Sequence, residues 1–180
     1  IEMLDQLSIY FSYCGIDCKA LLDRVIIDHK NKTIQPIDFK TMGDQTLYFP
    51  KSLRQRRYDI QAAFYTEALK SKKEYETYKI LPFKFIVEST INPGKPLVFT
   101  CSNELLFMGR WGREENFLEL NVPDSAETWV KKEYVNYPEI KGFHQLIEDY
   151  KWYMEKGFET KREIVESQGE FQLDWSGIIN

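Results

Sequence analysis

Asp38 and Lys40 lie two residues apart in the apolar run Pro36-Ile37-Asp38-Phe39-Lys40-Thr41. Strand side chains alternate with a period of two, so this run puts a carboxylate and an amine on one face. The preceding run, 19–29 (KALLDRVIIDH), supplies a second acid, Asp23. A two-residue turn at Lys30-Asn31 pairs His29 with Lys32, so that partner numbers sum to 61, which is also the sum for Asp23 and Asp38. Opposed carboxylates have Cβ atoms about 5 Å apart and destabilise a sheet unless something neutralises them. A hard divalent cation such as Mg²⁺ does so, taking carboxylate oxygen and keeping waters that a nearby amine can orient. The chemistry implied is hydrolysis of a phosphate ester.

The tripeptide alone is a weak signal. Asp17-Cys18-Lys19, Asp28-His29-Lys30 and Asp149-Tyr150-Lys151 repeat it in a turn, beside a turn and in a predicted helix, where a surface ion pair is the plain reading. Asp38-Phe39-Lys40 differs because its strand is apolar and its neighbour brings a second acid into register.

The elements that must position these residues can be read from pattern. Runs 7–13 and 19–29 are rich in β-branched and aromatic residues and flank the turn Cys14-Gly15-Ile16-Asp17, predicting a hairpin. A third strand, 33–41, follows the polar turn 29–32. Ser52 and Gln55 resemble a capping box, predicting a helix over 53–73 with Leu53, Ile60 and Phe64 facing the sheet. Steps of about 100° per residue put Arg54, Arg57, Tyr58, Gln61 and Tyr65 on one stripe of that helix, suited to gripping phosphate and backbone oxygens. Strands at 78–90 and 96–102 around Asn92-Pro93-Gly94 complete a βββαββ order. Helical spacing over 140–166 makes Phe143, Ile147, Tyr150 and Met154 a core stripe. The expected class is α/β.

Composition bounds the function. The chain has 180 residues, 43% of them hydrophobic, enough for one core and a single domain over 1–180, with no repeat or flexible linker. The three cysteines, Cys14, Cys18 and Cys101, lack paired zinc-like spacing and imply reduced thiols and a cytoplasmic setting. No apolar run approaches the roughly 20 residues of a membrane span. A net charge of −4 excludes bulk electrostatic coating of nucleic acid, so any contact with it is local. The chain opens on Ile1 rather than Met, which implies a preceding N-terminal segment. His29 and His144 read as turn and helix residues rather than zinc ligands, and Trp111, Trp129, Trp152 and Trp175 as core or subunit contacts.

Ile37-Asp38-Phe39-Lys40-Thr41, followed by Tyr58-Asp59-Ile60-Gln61-Ala62-Ala63-Phe64-Tyr65, resembles the RecB-type branch of the PD-(D/E)xK nuclease superfamily, which carries D, then D-x-K-T, then Q-x-x-x-Y in that order. Asp17-Cys18-Lys19-Ala20-Leu21-Leu22-Asp23 and the terminal Leu173-Asp174-Trp175 are similar to segments of the RecE-type exonucleases and their phage-type relatives, with Leu21 and Leu22 standing where Arg-Pro is usual. The resemblance implies a restriction-endonuclease-like fold, with a central mixed sheet flanked by helices. It implies Mg²⁺, with Mn²⁺ able to substitute, on Asp23, Asp38 and the Phe39 carbonyl. Lys40 would position the attacking water, Gln61 and Tyr65 would hold the strand, and Arg54, Arg57 and Tyr58 would contact DNA. It further implies digestion of double-stranded DNA from its ends in recombination or repair, a homo-oligomeric ring and a single-strand annealing partner. An additional metal ligand comes from an N-terminal helix in such enzymes; Glu2 and Asp5 do not match it, so it is expected upstream of Ile1. Alternatives are a structure-specific or restriction-type endonuclease, or a non-catalytic DNA-binding module on the same fold. A relative that carries an iron–sulfur cluster is excluded, because that cluster needs four cysteines.

Overall fold

Strands β1 (Glu2–Tyr13) and β2 (Ile16–Asp28) form a hairpin closed by Cys14 and Gly15, whose φ angles of 49° and 80° are the left-handed pair that a tight type I′ turn requires. The computed structural model describes residues 1–113, 116–119, 134–137, 139–158, 162 and 166. Strand β3 (Thr33–Met42) is antiparallel to β2 and parallel to both β4 (Lys79–Ile80) and β5 (Lys84–Ser89). β6 (Leu97–Thr100) is antiparallel to β5. The result is a six-stranded mixed sheet, ordered β1-β2-β3-β5-β6 with β4 beside β3, flanked by helices as expected.

The link between β2 and β3 is four residues long, 29–32, rather than two. Asp28 holds it by accepting from the amides of Lys30 (3.0 Å) and Asn31 (2.9 Å), while Lys32 takes a φ of 52°. The register survives the longer turn, since partners from Asp28↔Thr33 to Arg24↔Ile37 all sum to 61.

One distortion interrupts the hairpin. Buried positions in β2 are Ala20 and Leu22, then Val25 and Ile27, so the inward face changes parity across Asp23-Arg24. Partner numbers sum to 29 on both sides, at Leu7↔Leu22 and Asp5↔Arg24, so no residue is inserted. Instead Gln6, opposite Asp23, adopts a φ of 52°, which rotates the strand out of its alternation.

The predicted helix over 53–73 is two helices, α1 (Phe49–Arg56) and α2 (Tyr58–Lys70), with Pro50 in the first turn of α1. The break is Arg57, at a φ of 53°. Its guanidinium forks onto Asp59, from Nε at 3.0 Å and Nη2 at 2.9 Å, so a local ion pair holds the left-handed residue in place. Phe49, Ala62, Phe83, Phe85, Val87 and Cys101 form a buried core cluster that draws on α1, α2 and the sheet. Burial pushes the Cys101 thiol up to about 12, an inert packing group.

A third helix, α3 (Asn103–Trp111), was not predicted. Ser102 caps it by accepting from the Leu105 amide at 3.2 Å. α3 crosses α2 at Gly109, where a Cβ would lie 2.1 Å from the Asp59 carbonyl oxygen. A short bridge then pairs Arg113 with Ile140, and β7 (Asn116–Glu119) pairs antiparallel with β8 (Tyr134–Tyr137).

Two compact units divide the chain, 1–145 and 146–180. Helix α4 (Phe143–Lys156) begins in the first and runs into the second. Phe143 is buried, but Tyr150 and Met154 are exposed, so the stripe read as core is not a core stripe. In the second unit Tyr153 stacks on Phe158, and Arg162 pairs with Asp149 and Glu166. Trp129, Trp175 and the Leu173-Asp174-Trp175 segment lie outside the described residues. Among the described residues no helix is long and apolar enough to cross a membrane.

Candidate functional site

The β2–β3 ladder stops at Arg24↔Ile37, one pair before Asp23 and Asp38. The two acids therefore stand at the mouth of a fork rather than as neighbours within a ladder. At the fork the Asp23 side chain takes over from β2: its Oδ2 accepts the Phe39 amide at 2.9 Å, and its Oδ1 accepts from Gln6 Nε2 at 3.3 Å. The parity change in β2 and the left-handed Gln6 lie at this spot. In an extended strand the N–H and C=O of one residue leave the same edge, so the Phe39 carbonyl opens toward the fork with its amide. Met42, three residues on, gives its carbonyl to the opposite side, to Thr90.

Asp38 is 1% exposed. Its Oδ1 accepts from Gln61 Nε2 of α2 at 2.8 Å. Its Oδ2 is buried in an ion pair with Lys40 Nζ. Desolvation raises the Asp38 pKa above the ordinary carboxylate range; Lys40 opposes the rise, and Asp23 adds to it through its charge and a hydrogen bond. Lys40 Nζ also lies 4.5 Å from the centre of the Tyr58 ring, so ammonium, carboxylate and aromatic face are in mutual contact.

This donor set fits a hard cation. A buried carboxylate, a second carboxylate close enough to perturb it, and a backbone carbonyl on the same edge are oxygen ligands of the kind Mg²⁺ takes alongside retained waters. Among the described residues no cluster of three or more His, Cys, Asp or Glu side chains forms a metal site. Asp5 and Glu2 are engaged elsewhere, Asp5 with Arg24 at 2.6 Å and Glu2 with His29 at 2.7 Å. His144 meets the Tyr13 hydroxyl at 3.1 Å.

The helical residues divide. Gln61 and Tyr58 reach Asp38 and Lys40, whereas Tyr65 packs on the core cluster, its ring 6.3 Å from that of Phe83. Arg57 is committed to Asp59, and Arg54 lines a mostly apolar cleft with Leu53, Phe99 and Leu105. The expected basic stripe is thus split by the break between α1 and α2. A different cleft, of about 310 Å³, opens beside Lys40 and is lined along α1 by Lys51, Ser52, Gln55 and Arg56. The pattern read Ser52 and Gln55 as a capping box, but α1 begins at Phe49 with Pro50 in its first turn, so both lie within the helix and share its face with Lys51 and Arg56.

No protein-family model matches the chain, and no curated protein matches it. Among solved structures, the chain is similar to the crystal structure of a "Putative exonuclease" from Eubacterium rectale, with 16% identity over 58% of this chain and a TM-score of 0.41. The match spans 38% of the length of that protein.

Proposed function

We propose that the protein is a Mg²⁺-dependent deoxyribonuclease acting as an exonuclease on double-stranded DNA, of the RecE-like kind, with Mn²⁺ able to substitute. The observation that carries this reading is the Asp38 carboxylate, buried and paired through Oδ2 with the Lys40 ammonium, at a fork that also holds Asp23. Asp23, Asp38 and the Phe39 carbonyl are the groups that would hold the cation, which when bound supplies Lewis-acid stabilisation of charge on the phosphoryl oxygens.

The chain's own residues do the rest. Gln61 fixes the Asp38 carboxylate in orientation through Oδ1. The Phe39 amide fixes Asp23. Lys40, only 18% exposed, presents an ammonium on the face where the scissile phosphate would sit; there it orients the attacking water and offsets charge that grows during in-line displacement. Burial of this corner against Tyr58 and Phe85 keeps bulk water from screening those interactions. The same residues would serve an endonuclease, so the substrate decides between the two. By analogy with RecE-type enzymes, a ring oligomer, an annealing partner and a cytoplasmic role in phage-type recombination or repair belong to this reading.

A second reading, a non-catalytic DNA-binding module, is favoured by the pairing of Glu2 and Asp5 away from the fork, which leaves two carboxylates there among the described residues. The test is digestion of linear duplex and of covalently closed circular DNA with Mg²⁺, Mn²⁺ or EDTA, by wild type, Asp38→Asn and Lys40→Ala. The exonuclease reading expects metal-dependent loss of the linear DNA, a spared circle, and losses of at least about 100-fold in both variants. Cleavage of the circle would make it an endonuclease. Metal-independent cleavage, or an unaffected Lys40→Ala, would remove the assignment, and DNA binding without cleavage would leave the binding module.

A further inference from the structure

The cleft beside Lys40 is not needed to explain the acids at the fork, and its lining has its own logic. Lys51, Ser52, Gln55 and Arg56 fall at i, i+1, i+4 and i+5 on α1, one face of the helix. Neither Lys51 nor Arg56 has an ion-pair partner among the described residues, in a chain whose net charge is −4. Two unpaired cations on one wall, with a hydroxyl and an amide between them, form an electropositive corner that the overall charge does not explain. Asp44 lies on the lining as well and is engaged by the Gln45 amide at 2.7 Å, so a bound anion is directed to the α1 wall. Tyr48, 54% exposed, offers a ring on the same lining.

We propose that this cleft is a nucleotide subsite, taking one nucleoside-phosphate unit with its phosphate on Lys51 and Arg56 and its base against Tyr48. Its volume of about 310 Å³ is at the lower end of the roughly 300–1,000 Å³ of small-ligand sites, the size of one nucleotide rather than a duplex. Guanidinium and ammonium groups grip phosphate through charge-assisted hydrogen bonds. Aromatic faces hold bases without regard to sequence. Ser52 and Gln55 are placed between the two cations to hydrogen-bond phosphate or sugar oxygens. Because the cleft opens directly onto Lys40, the subsite extends the proposed nuclease site by the nucleotide next to the scissile phosphate. Its position rests on that reading; its binding chemistry does not.

The test is calorimetric titration in EDTA, where no hydrolysis takes place, of adenosine 5′-monophosphate, adenosine, inorganic phosphate and a short single-stranded oligodeoxynucleotide. The proteins are wild type, the exposed double variant Lys51→Ala/Arg56→Ala, Tyr48→Ala, and Lys70→Ala as a control on α2, outside the cleft. The expected result is binding of the monophosphate or the oligonucleotide by wild type, weakened at least about tenfold in the double variant and unchanged in Lys70→Ala, with circular dichroism alike for all. Binding of the monophosphate identifies the single nucleotide as sufficient, and binding of the oligonucleotide alone identifies a strand as the occupant; either supports the subsite. An unaffected double variant, an equal loss in Lys70→Ala, or inorganic phosphate binding as tightly as the nucleotide would overturn it. Nucleotide binding by a wild type that cleaves no DNA with Mg²⁺ would sink the nuclease reading and leave the subsite standing. Cleavage whose KM is unchanged in the double variant would do the reverse.

Discussion

Gln61 of α2 donates to Asp38 of β3 at 2.8 Å across a sequence separation of 23 residues, and this contact ties the helix to the oxygen opposite the one that Lys40 holds. Gln61→Ala leaves Asp38 Oδ1 without its fixed partner while removing no metal-holding group. Such supporting partners alter metal affinity or activity by about 10–100-fold. A Mg²⁺ titration of cleavage by Gln61→Ala should shift to higher metal concentration by about that factor, and an unshifted curve would make the contact structural only.

Asp28 sets the four-residue link that brings β3 into register with β2. Its pKa is lowered, first by the Asn31 amide and then by the Asn31 side chain. The folded state therefore holds this carboxylate ionised to lower pH than the unfolded chain does. The stabilisation is present above the unfolded pKa and is lost as pH falls through the lower folded value. Thermal melts of wild type and Asp28→Asn should differ at neutral pH and converge as the medium is acidified below the ordinary Asp range; a constant difference would remove the linkage.

Arg57 is a stability residue by its contacts. Its side chain is 32% exposed and that of Asp59 is 8% exposed, so Arg57→Ala strands a nearly buried carboxylate and also leaves a left-handed backbone without its ion pair. With the guanidinium partly screened by solvent, the cost is about 1–3 kcal/mol in urea unfolding. DNA affinity of the folded fraction should be unchanged. A weakened affinity at full stability would place Arg57 on the strand instead.

Gly109→Ala forces a methyl to within 2.1 Å of the Asp59 carbonyl oxygen and 3.0 Å of the Ala63 Cβ. The contacts are backbone and a short side chain, neither able to swing aside, so α3 must move off α2. Overpacking of this kind costs about 1–3 kcal/mol. Denaturant unfolding measures it, and a neutral result would mean that the two helices slide freely past each other.

What could be read from the sequence was what local chemistry decides. The turn at 29–32 and the common face of Asp38 and Lys40 follow from turn residues and period, and the register sum holds even though the turn is longer than expected, whereas the Gln61 contact with Asp38 needed the packing of α2 on β3. What could not be read was decided elsewhere in the chain. Arg57 breaks the predicted helix because Asp59 holds it there, and no propensity marks an arginine as a left-handed residue. α3 was hidden because Gly109 looks like a breaker until α2 is seen passing beneath it. The exposed tail of the α4 stripe shows the converse, a helical pattern that says helix but not what it packs against. The cleft on α1 escaped notice because its cations become neighbours of Lys40 only once β3 and α1 are folded together.

A sheet that parts in its middle, as β2 and β3 do at Asp23 and Asp38, acquires two lips, and strand lips invite foreign strands. Inward-pointing charge is one of the means by which natural sheets repel such guests. Here the lips carry two acids and a lysine, so the residues that chemistry would call on also act as gatekeepers against aggregation. Neutral variants such as Asp23→Asn and Asp38→Asn, convenient as inactive controls, should clump more readily than the wild type at the same concentration.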